Sequence, residues 1–116
     1  MTATIYGIKN CDTMKKAMSW LNDHHVHYRF HDYKIAGIDA AHLKHWCDKL
    51  GWETVLNRAG TTFRKLPEAA RQNLDQSKAI SLMLDQPSMI KRPVLDLGAS
   101  LLIGFKPEAY ARAFDK

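Results

Sequence analysis

Apolar and polar residues alternate along residues 2–6 and 26–33, and this alternation predicts half-buried β-strands. Two short, mainly apolar segments, residues 94–97 and 101–104, predict two further strands. Gly98 and Ala99 separate the last two segments at the spacing of a tight turn. We therefore expect these two strands to form an antiparallel hairpin.

Apolar residues recur at helical spacing in other parts of the chain. Gly51 suits the C-terminal cap of one of these segments, and Pro107 suits the first turn of another. The pattern predicts helices over residues 13–23, 40–50, 77–85 and 108–114. The side chains of the third helix that we expect to face inward are Ile80, Met83 and Leu84.

Weaker patterns occupy the middle of the chain. Residues 67–73 are typical of a helix, residues 53–56 of a short helix or an extended segment, and residues 57–62 of a loop. The whole order is therefore β-α-β, a helical stretch and β-β-α. This order predicts an α/β fold, thioredoxin-like and of the glutaredoxin type, with a four-stranded mixed sheet. We expect a single domain whose core spans about 1–36 and 87–116, with a helical insertion over about 37–86.

Composition and charge narrow the class of protein. The 116 residues are 46% hydrophobic and 25% charged, as in one globular domain. No run approaches the roughly 18 apolar residues of a membrane helix, and the first residues do not resemble an export signal. Two cysteines do not make a disulfide scaffold. We therefore expect a monomer of the reducing cytoplasm without a membrane partner.

The net charge of +5 is spread along the chain without a polybasic run. A moderate positive charge suits the binding of small anions or of nucleic acid, but it is equally typical of a solvated surface that binds no charged partner. We do not expect nucleic acid as a partner. The histidines have no further ligands at metal-binding spacing, so we expect no metal site.

Cys11 follows the first predicted strand and turn and stands at the start of the first helix. Free backbone N–H groups and the positive end of the helix dipole stabilise a thiolate at such a position. Lys9 would act in the same direction, and Thr13 offers a nearby hydrogen bond. A small buried cysteine is the structural alternative. The position at the end of a strand favours an exposed, reactive thiol.

The residue three positions after Cys11 is Met14, so a dithiol–disulfide cycle within the motif is impossible. A redox cycle then needs an external thiol or Cys47. Cys47 shares a helix face with Leu43 and Trp46, which predicts a position in the core. The sequence leaves open whether Cys47 approaches Cys11.

Two groups of basic residues could bind an anion. Arg92 precedes Pro93 just before the third strand, where thioredoxin-like domains hold a cis proline. A cis bond would turn Arg92 toward the cysteine, and a guanidinium binds carboxylates and oxyanions in a bidentate manner. A surface arginine is the alternative. Arg58 and Arg64 flank a glycine-containing loop that suits an anion or plain solvation.

Three segments, YGIKNCDTMKKA, LNRAGTTFRKL and LMLDQPSMIKRPVL, resemble the ArsC family. This family includes glutaredoxin-linked arsenate reductases, Spx-type regulators and a short YffB-like branch. The resemblance covers essentially the whole chain. It implies a thioredoxin-like core with a helical insertion, with Cys11 as the active thiol and Arg92 as an anion-binding residue beside a cis Pro93.

Departures from the family patterns favour the YffB-like branch. Arsenate reductases carry Cys-Gly-Thr-Ser-Arg after His-Asn, whereas this chain has NCDTM and lacks the Ser and Arg donors. Spx-type regulators carry Cys-x-x-Cys, which Met14 excludes. The short branch has Asn-Thr-Arg-Gly-Thr-Thr, and here Arg58 stands one place earlier.

The residues and the resemblance together predict a glutathione-dependent thiol/disulfide reductase whose Cys11 thiolate forms a glutathione mixed disulfide. A second glutathione or a glutaredoxin would resolve it, and the substrate would be a small oxidised or anionic molecule. We expect no tightly bound cofactor. Glutathione and substrate would contact Lys9, Asn10, Thr13, Arg58, Arg64, Arg92 and Pro93. The alternatives are a glutaredoxin-linked arsenate reductase and a Spx-like, non-catalytic regulator that binds RNA polymerase.

Overall fold

A computed structural model describes residues 3–116, so Thr2 of the predicted first strand lies outside the described residues. The chain forms two compact units. The first contains the residues up to Ala36 together with Arg92–Lys116, and the second is Gly37–Lys91. The first of these boundaries lies where the sequence predicts it.

The second boundary lies after Lys91 rather than near residue 87. Hydrogen bonds explain the difference. The Lys91 N–H donates to the Val55 carbonyl over 2.8 Å, and the Asn57 N–H donates to the Met89 carbonyl over 2.8 Å. Residues 87–91 therefore belong to the second unit.

Four strands and six α-helices occur in the described residues. The strands are β1 Ala3–Gly7, β2 Tyr28–Asp32, β3 Val94–Asp96 and β4 Leu101–Ile103. The helices are α1 Asp12–Asp23, α2 Ala40–Leu50, α3 Trp52–Val55, α4 Thr61–Arg64, α5 Gln76–Asp85 and α6 Pro107–Phe114.

The first unit is built on a mixed sheet with the strand order β2-β1-β3-β4. β1 and β2 are parallel, because α1 carries the chain back between them. β3 pairs antiparallel with both β1 and β4, and β3 and β4 form the predicted hairpin. The predicted α/β architecture with a four-stranded mixed sheet is confirmed.

The core of the first unit lies between this sheet and its helices. Its members are apolar residues that are no more than 3% exposed. Burial of one large apolar side chain stabilises a fold by about 1.5–3 kcal/mol. The core residues are Ala3, Ile5, Met14, Ala17, Leu21, Leu95, Leu97 and Tyr110. This packing fixes α1, and with it Cys11, against the sheet.

Gly7 ends β1 close to the side chain of Met14, which belongs to the first turn of α1. A Cβ atom at this position would collide with the Met14 sulfur. The absence of a side chain at Gly7 therefore leaves room for the buried Met14 side chain over the end of β1. The close approach sets the position of the residues that precede Met14 on the helix.

The second unit is helical and departs from the predictions in three places. α4 begins at Thr61, inside the predicted loop 57–62, because Gly60 adopts the extended backbone of an N-cap. The predicted helix 67–73 is reduced to one 3-10 turn, Glu68–Arg71.

The buried face of α5 is the third difference. Ala79 and Met83 line it, four residues apart, as neighbours on one helical face do. Leu84 follows Met83 and is therefore rotated by about 100° around the helix axis. It is 40% exposed rather than buried.

Candidate functional site

Three segments of the first unit meet at one edge of the sheet. Because β1 and β2 are parallel and β1 and β3 antiparallel, the ends of the first two strands lie beside the start of the third. Cys11 follows β1, Tyr33 follows β2 and Arg92 precedes β3. The sheet topology therefore brings together residues that are far apart in the sequence.

Cys11 is the N-cap of α1, with extended backbone angles (φ −100°, ψ 130°). Its carbonyl accepts the Lys15 N–H over 3.0 Å. The side chain is a partly exposed free thiol. The side chain makes no capping hydrogen bond, but the nearby backbone N–H groups of Met14 and Thr13 favour its thiolate form.

Arg92 lies beside this sulfur. Its half-buried guanidinium donates hydrogen bonds to the Cys11 sulfur and to the Tyr33 hydroxyl oxygen. The peptide bond between Arg92 and Pro93 is cis, as the sequence predicts. Pro93 is buried, and its carbonyl accepts the Gly104 N–H over 2.9 Å.

The pKa of Cys11 is lowered, through opposing effects. Burial is the largest, and alone it would raise the pKa of the thiol. The Met14 N–H, the Arg92 hydrogen bond, the Thr13 N–H and the Arg92 charge together outweigh it. The site therefore holds more thiolate at neutral pH than a free cysteine would.

Of the two basic residues that the sequence suggests near Cys11, Lys9 and Arg92, it is Arg92 that lowers the pKa of the thiol. Lys9 is exposed and is not among the principal influences on the pKa of Cys11. The charge comes instead from Arg92, which reaches the sulfur from the start of β3. Thr13 lowers the pKa of Cys11 through its backbone N–H, and the residue itself is exposed.

Cys47 is a free thiol of the opposite character. It is 2% exposed in the core of the second unit, as its helix face predicts. Burial first, and then the charges of Asp48 and Glu53, raise the pKa of Cys47 to about 11. It therefore remains a neutral thiol at physiological pH.

The predicted ligand residues divide between the units. The first unit contains Lys9, Asn10, Thr13, Arg92 and Pro93, and both Lys9 and Asn10 are exposed. The exposed Arg58 and Arg64 belong to the second unit. The Arg58 guanidinium carbon lies 5.4 Å from the centroid of the Trp52 ring, a cation–π distance. The contact of Arg58 and Arg64 with glutathione stays a prediction.

Tyr33 is the residue of this site that sequence reasoning missed. It is 1% exposed, and its hydroxyl oxygen accepts a hydrogen bond from Arg92. The alternating pattern of residues 26–33 predicts only that Tyr33 lies at the end of a strand. The available signal is that the hydroxyl group of a buried tyrosine usually has a hydrogen-bond partner.

The described residues contain neither a metal-binding cluster nor a membrane-spanning helix. No three His, Cys, Asp or Glu side chains among residues 3–116 form a group that could hold a metal ion. Over the same residues, every helix is too short or too polar to cross a bilayer.

Similarity to known proteins covers nearly the whole chain. The sequence model of the ArsC family matches residues 6–113. The structure of the YFFB (PA3664) protein is 67% identical, with a TM-score of 0.94 over 96% of this chain and 97% of that chain. The structure of an arsenate reductase (ArsC) related protein from Brucella melitensis is 58% identical, with a TM-score of 0.78 over 100% of this chain and 97% of that chain.

Curated proteins extend the comparison to regulators. An uncharacterised protein of Haemophilus influenzae is 41% identical over 96% of this chain and 97% of its own length. The global transcriptional regulator Spx 1 of Lactococcus lactis is 28% identical over 95% of this chain and 86% of its own length. Similarity to the regulator is therefore the weaker of the two.

Proposed function

The chain belongs to the ArsC family, and from this membership and the geometry around Cys11 we propose that it is a glutathione-dependent thiol–disulfide reductase. The observation that carries the proposal is the Cys11 sulfur at the start of α1, within hydrogen-bonding reach of the Arg92 guanidinium. A partly exposed thiol with a lowered pKa is the form of cysteine that attacks other sulfur atoms. Cys47, buried and with a raised pKa, does not have these properties.

The proposed cycle has two thiol–disulfide exchanges. In the first, the Cys11 thiolate attacks the glutathione sulfur of a substrate disulfide R–S–SG, forming the Cys11–SG bond and releasing RS⁻, which takes up a proton. In the second, the thiolate of another glutathione attacks the sulfur of the bound glutathione and releases Cys11 as a thiolate. The sum is RSSG + GSH → RSH + GSSG, so electrons and protons balance.

A cycle with one protein cysteine fits the sequence around the site. Met14 occupies the position that a resolving cysteine would take in a Cys-x-x-Cys motif. A second glutathione, or a glutaredoxin, therefore has to supply the resolving thiol. A reducing cytoplasm, which we propose as the location, would supply this thiol.

Arg92 has two roles in this proposal. Its hydrogen bond and charge hold Cys11 as a thiolate before the first attack. Glutathione carries carboxylates, and a guanidinium binds a carboxylate through two parallel hydrogen bonds. Arg92 therefore also orients glutathione, so that its sulfur approaches Cys11.

Replacement of Cys11 tests the proposal. Cys11→Ser should abolish the glutathione-dependent reduction of a small glutathione mixed disulfide. The assay couples the oxidised glutathione formed to the oxidation of NADPH, which is measured. The matched control is Cys47→Ala, which removes the buried thiol and should retain the activity. Unchanged turnover in the Cys11 variant would refute the proposal.

Mass spectrometry provides a second test of the same step. After incubation with oxidised glutathione, a single adduct of glutathione mass is expected, on the peptide that contains Cys11. An adduct on Cys47 alone, or no adduct under conditions that modify free cysteine, would contradict the mechanism.

Arsenate reduction is the second candidate, and the guanidinium beside a thiolate is the observation that favours it. Attack of Cys11 on arsenate would release water or hydroxide, and Arg92 would stabilise the negative oxygens. The cysteine segment NCDTM contains neither the Ser nor the Arg of the arsenate reductase motif, which is why we rank it second. Formation of arsenite from arsenate with glutathione and glutaredoxin would place it first.

A further inference from the structure

Tyr33 is buried at the end of β2 and contacts the site through its side chain. Its backbone N–H donates to the Gly7 carbonyl over 3.1 Å, which ties it to the end of β1. The next residues turn away at once, since the Ala36 N–H donates to the Asp32 carbonyl over 2.8 Å. The tyrosine ring is therefore held by a hydrogen bond on its backbone and by close packing, with 1% of the residue exposed.

The Tyr33 hydroxyl oxygen accepts a hydrogen bond from the Arg92 guanidinium, which also donates to the Cys11 sulfur. Arg92 and Tyr33 come from strands on opposite sides of β1 in the order β2-β1-β3-β4. They meet across the end of β1, where Cys11 follows. The guanidinium is thus held between a fixed phenol and the reactive sulfur.

The chemistry of the phenol determines what this contact does. Burial, above all, raises the pKa of Tyr33, so the side chain stays neutral at physiological pH. A neutral oxygen can hold a guanidinium in place without cancelling its positive charge. An aspartate or glutamate in the same place would form an ion pair with Arg92 and compete with the thiolate for that charge.

We propose that Tyr33 is a positioning residue, whose phenol oxygen holds the Arg92 guanidinium against Cys11 and leaves its charge to the thiolate and to the anionic group of the substrate. The effect of Tyr33 on the Cys11 thiolate follows from the contacts around Arg92. Its effect on substrate binding rests on the proposed glutathione-dependent activity.

The test removes only the hydroxyl group. Tyr33→Phe is made in a Cys47→Ala background, and the thiolate absorbance of Cys11 near 240 nm is followed against pH. Without its partner, Arg92 spends less time against the sulfur, so the ratio of thiolate to thiol at a fixed pH should fall by about two- to fivefold. Tyr28→Phe on the same strand, outside the site, should leave the ratio unchanged.

A double-mutant cycle separates positioning from a direct effect. If Tyr33 acts through Arg92, Tyr33→Phe should have no further effect on the thiolate ratio in an Arg92→Ala background. An equal fall in both backgrounds would overturn the proposal, because Tyr33 would then act on Cys11 without the arginine. An unchanged ratio in the single variant would overturn it as well. Far-ultraviolet circular dichroism and the thermal midpoint verify that each variant is folded.

The thiolate measurement needs no glutathione, so the two proposals fail separately. If Tyr33→Phe lowers the thiolate ratio only when Arg92 is present, but the parent protein reduces no disulfide, Tyr33 remains a positioning residue and the reductase is refuted. If the parent protein reduces disulfides but Tyr33→Phe leaves the thiolate ratio unaltered, the reductase stands and the role of Tyr33 is refuted. With both in place, Tyr33→Phe should also raise the KM for glutathione several-fold, and Tyr28→Phe should not.

Discussion

Arg92→Ala is the most direct perturbation of the site, because it removes a hydrogen bond and a charge from the Cys11 sulfur in one step. A hydrogen bond to a charged group contributes about 1.5–3 kcal/mol, and the partial exposure of Cys11 argues for the lower end. About 1.4 kcal/mol corresponds to a tenfold change in an equilibrium. The ratio of thiolate to thiol at a given pH should therefore fall by about tenfold.

The pH dependence has a definite sign. The pKa of Cys11 is lowered in the folded protein, with Arg92 among the causes. Without the arginine, burial still raises the pKa of Cys11, and among its principal influences the backbone N–H groups of Met14 and Thr13 remain to lower it. The midpoint of thiolate formation should consequently move to higher pH in Arg92→Ala.

Alkylation by iodoacetamide at several pH values measures this effect on Cys11. A thiolate of higher pKa is intrinsically more nucleophilic, with a Brønsted coefficient of about 0.4–0.5, so about half of the logarithmic loss is recovered. We expect the rate below the midpoint to fall only about threefold, and the rate at high pH to rise above that of the parent. Arg112→Ala removes the same charge from an exposed position on α6 and should change neither rate.

Two results would contradict the stabilisation of the Cys11 thiolate by Arg92. An unchanged midpoint in Arg92→Ala would show that the guanidinium does not stabilise the thiolate. A similar change in Arg112→Ala would show that net charge acts at long range, and this should then vanish at high salt.

Three further variants test the packing around the site. Tyr110→Phe should raise the free energy of unfolding by about 1 kcal/mol in urea, because the buried Tyr110 hydroxyl has no hydrogen-bond partner among the described residues; a loss of stability would reveal a partner. Gly7→Ala should lower the free energy of unfolding by about 1–3 kcal/mol, since its Cβ meets the buried Met14 side chain; an unchanged thermal midpoint would contradict this close packing. Cys47 should resist alkylation at pH 8 in the folded protein and react in urea, because burial raises its pKa to about 11, and peptide mass spectrometry would expose any reaction in the native state.

Local sequence patterns predict much of this fold because one face of most elements is buried. α2 has the predicted bounds Ala40–Leu50, since an N-cap aspartate and Gly51 mark its two ends. The hairpin of β3 and β4 follows from the turn residues between them. The cis bond before Pro93 is also confirmed, but that expectation comes from the thioredoxin-like order of elements and the family resemblance, since an X-Pro pair alone is usually trans.

The charge around Cys11 could not be predicted to the same extent. Its position at a helix start is local, so the contribution of the backbone N–H groups follows from the sequence. Arg92 and Tyr33 meet only because β2 and β3 both lie beside β1. Periodicity indicates which face of a strand is buried, but not which side chains meet beyond the ends of neighbouring strands. The sequence suggests both Lys9 and, through the expected cis proline, Arg92 as sources of charge, but it offers no reason to pair Tyr33 with Arg92.

The same stabilisation that makes Cys11 available as a thiolate also determines how the proposed cycle closes. In the second exchange Cys11 is the leaving group, and a thiolate of lower pKa leaves faster. Because no cysteine lies three residues further on to assist release, the rate of this step depends on Arg92 and on the N–H groups of α1. Arg92→Ala should thus slow the resolution of a preformed Cys11–glutathione disulfide by excess glutathione, and at high pH it should slow this step even though Cys11 attacks faster. Equal changes in attack and resolution at high pH would mean that the arginine only binds glutathione and does not stabilise the sulfur.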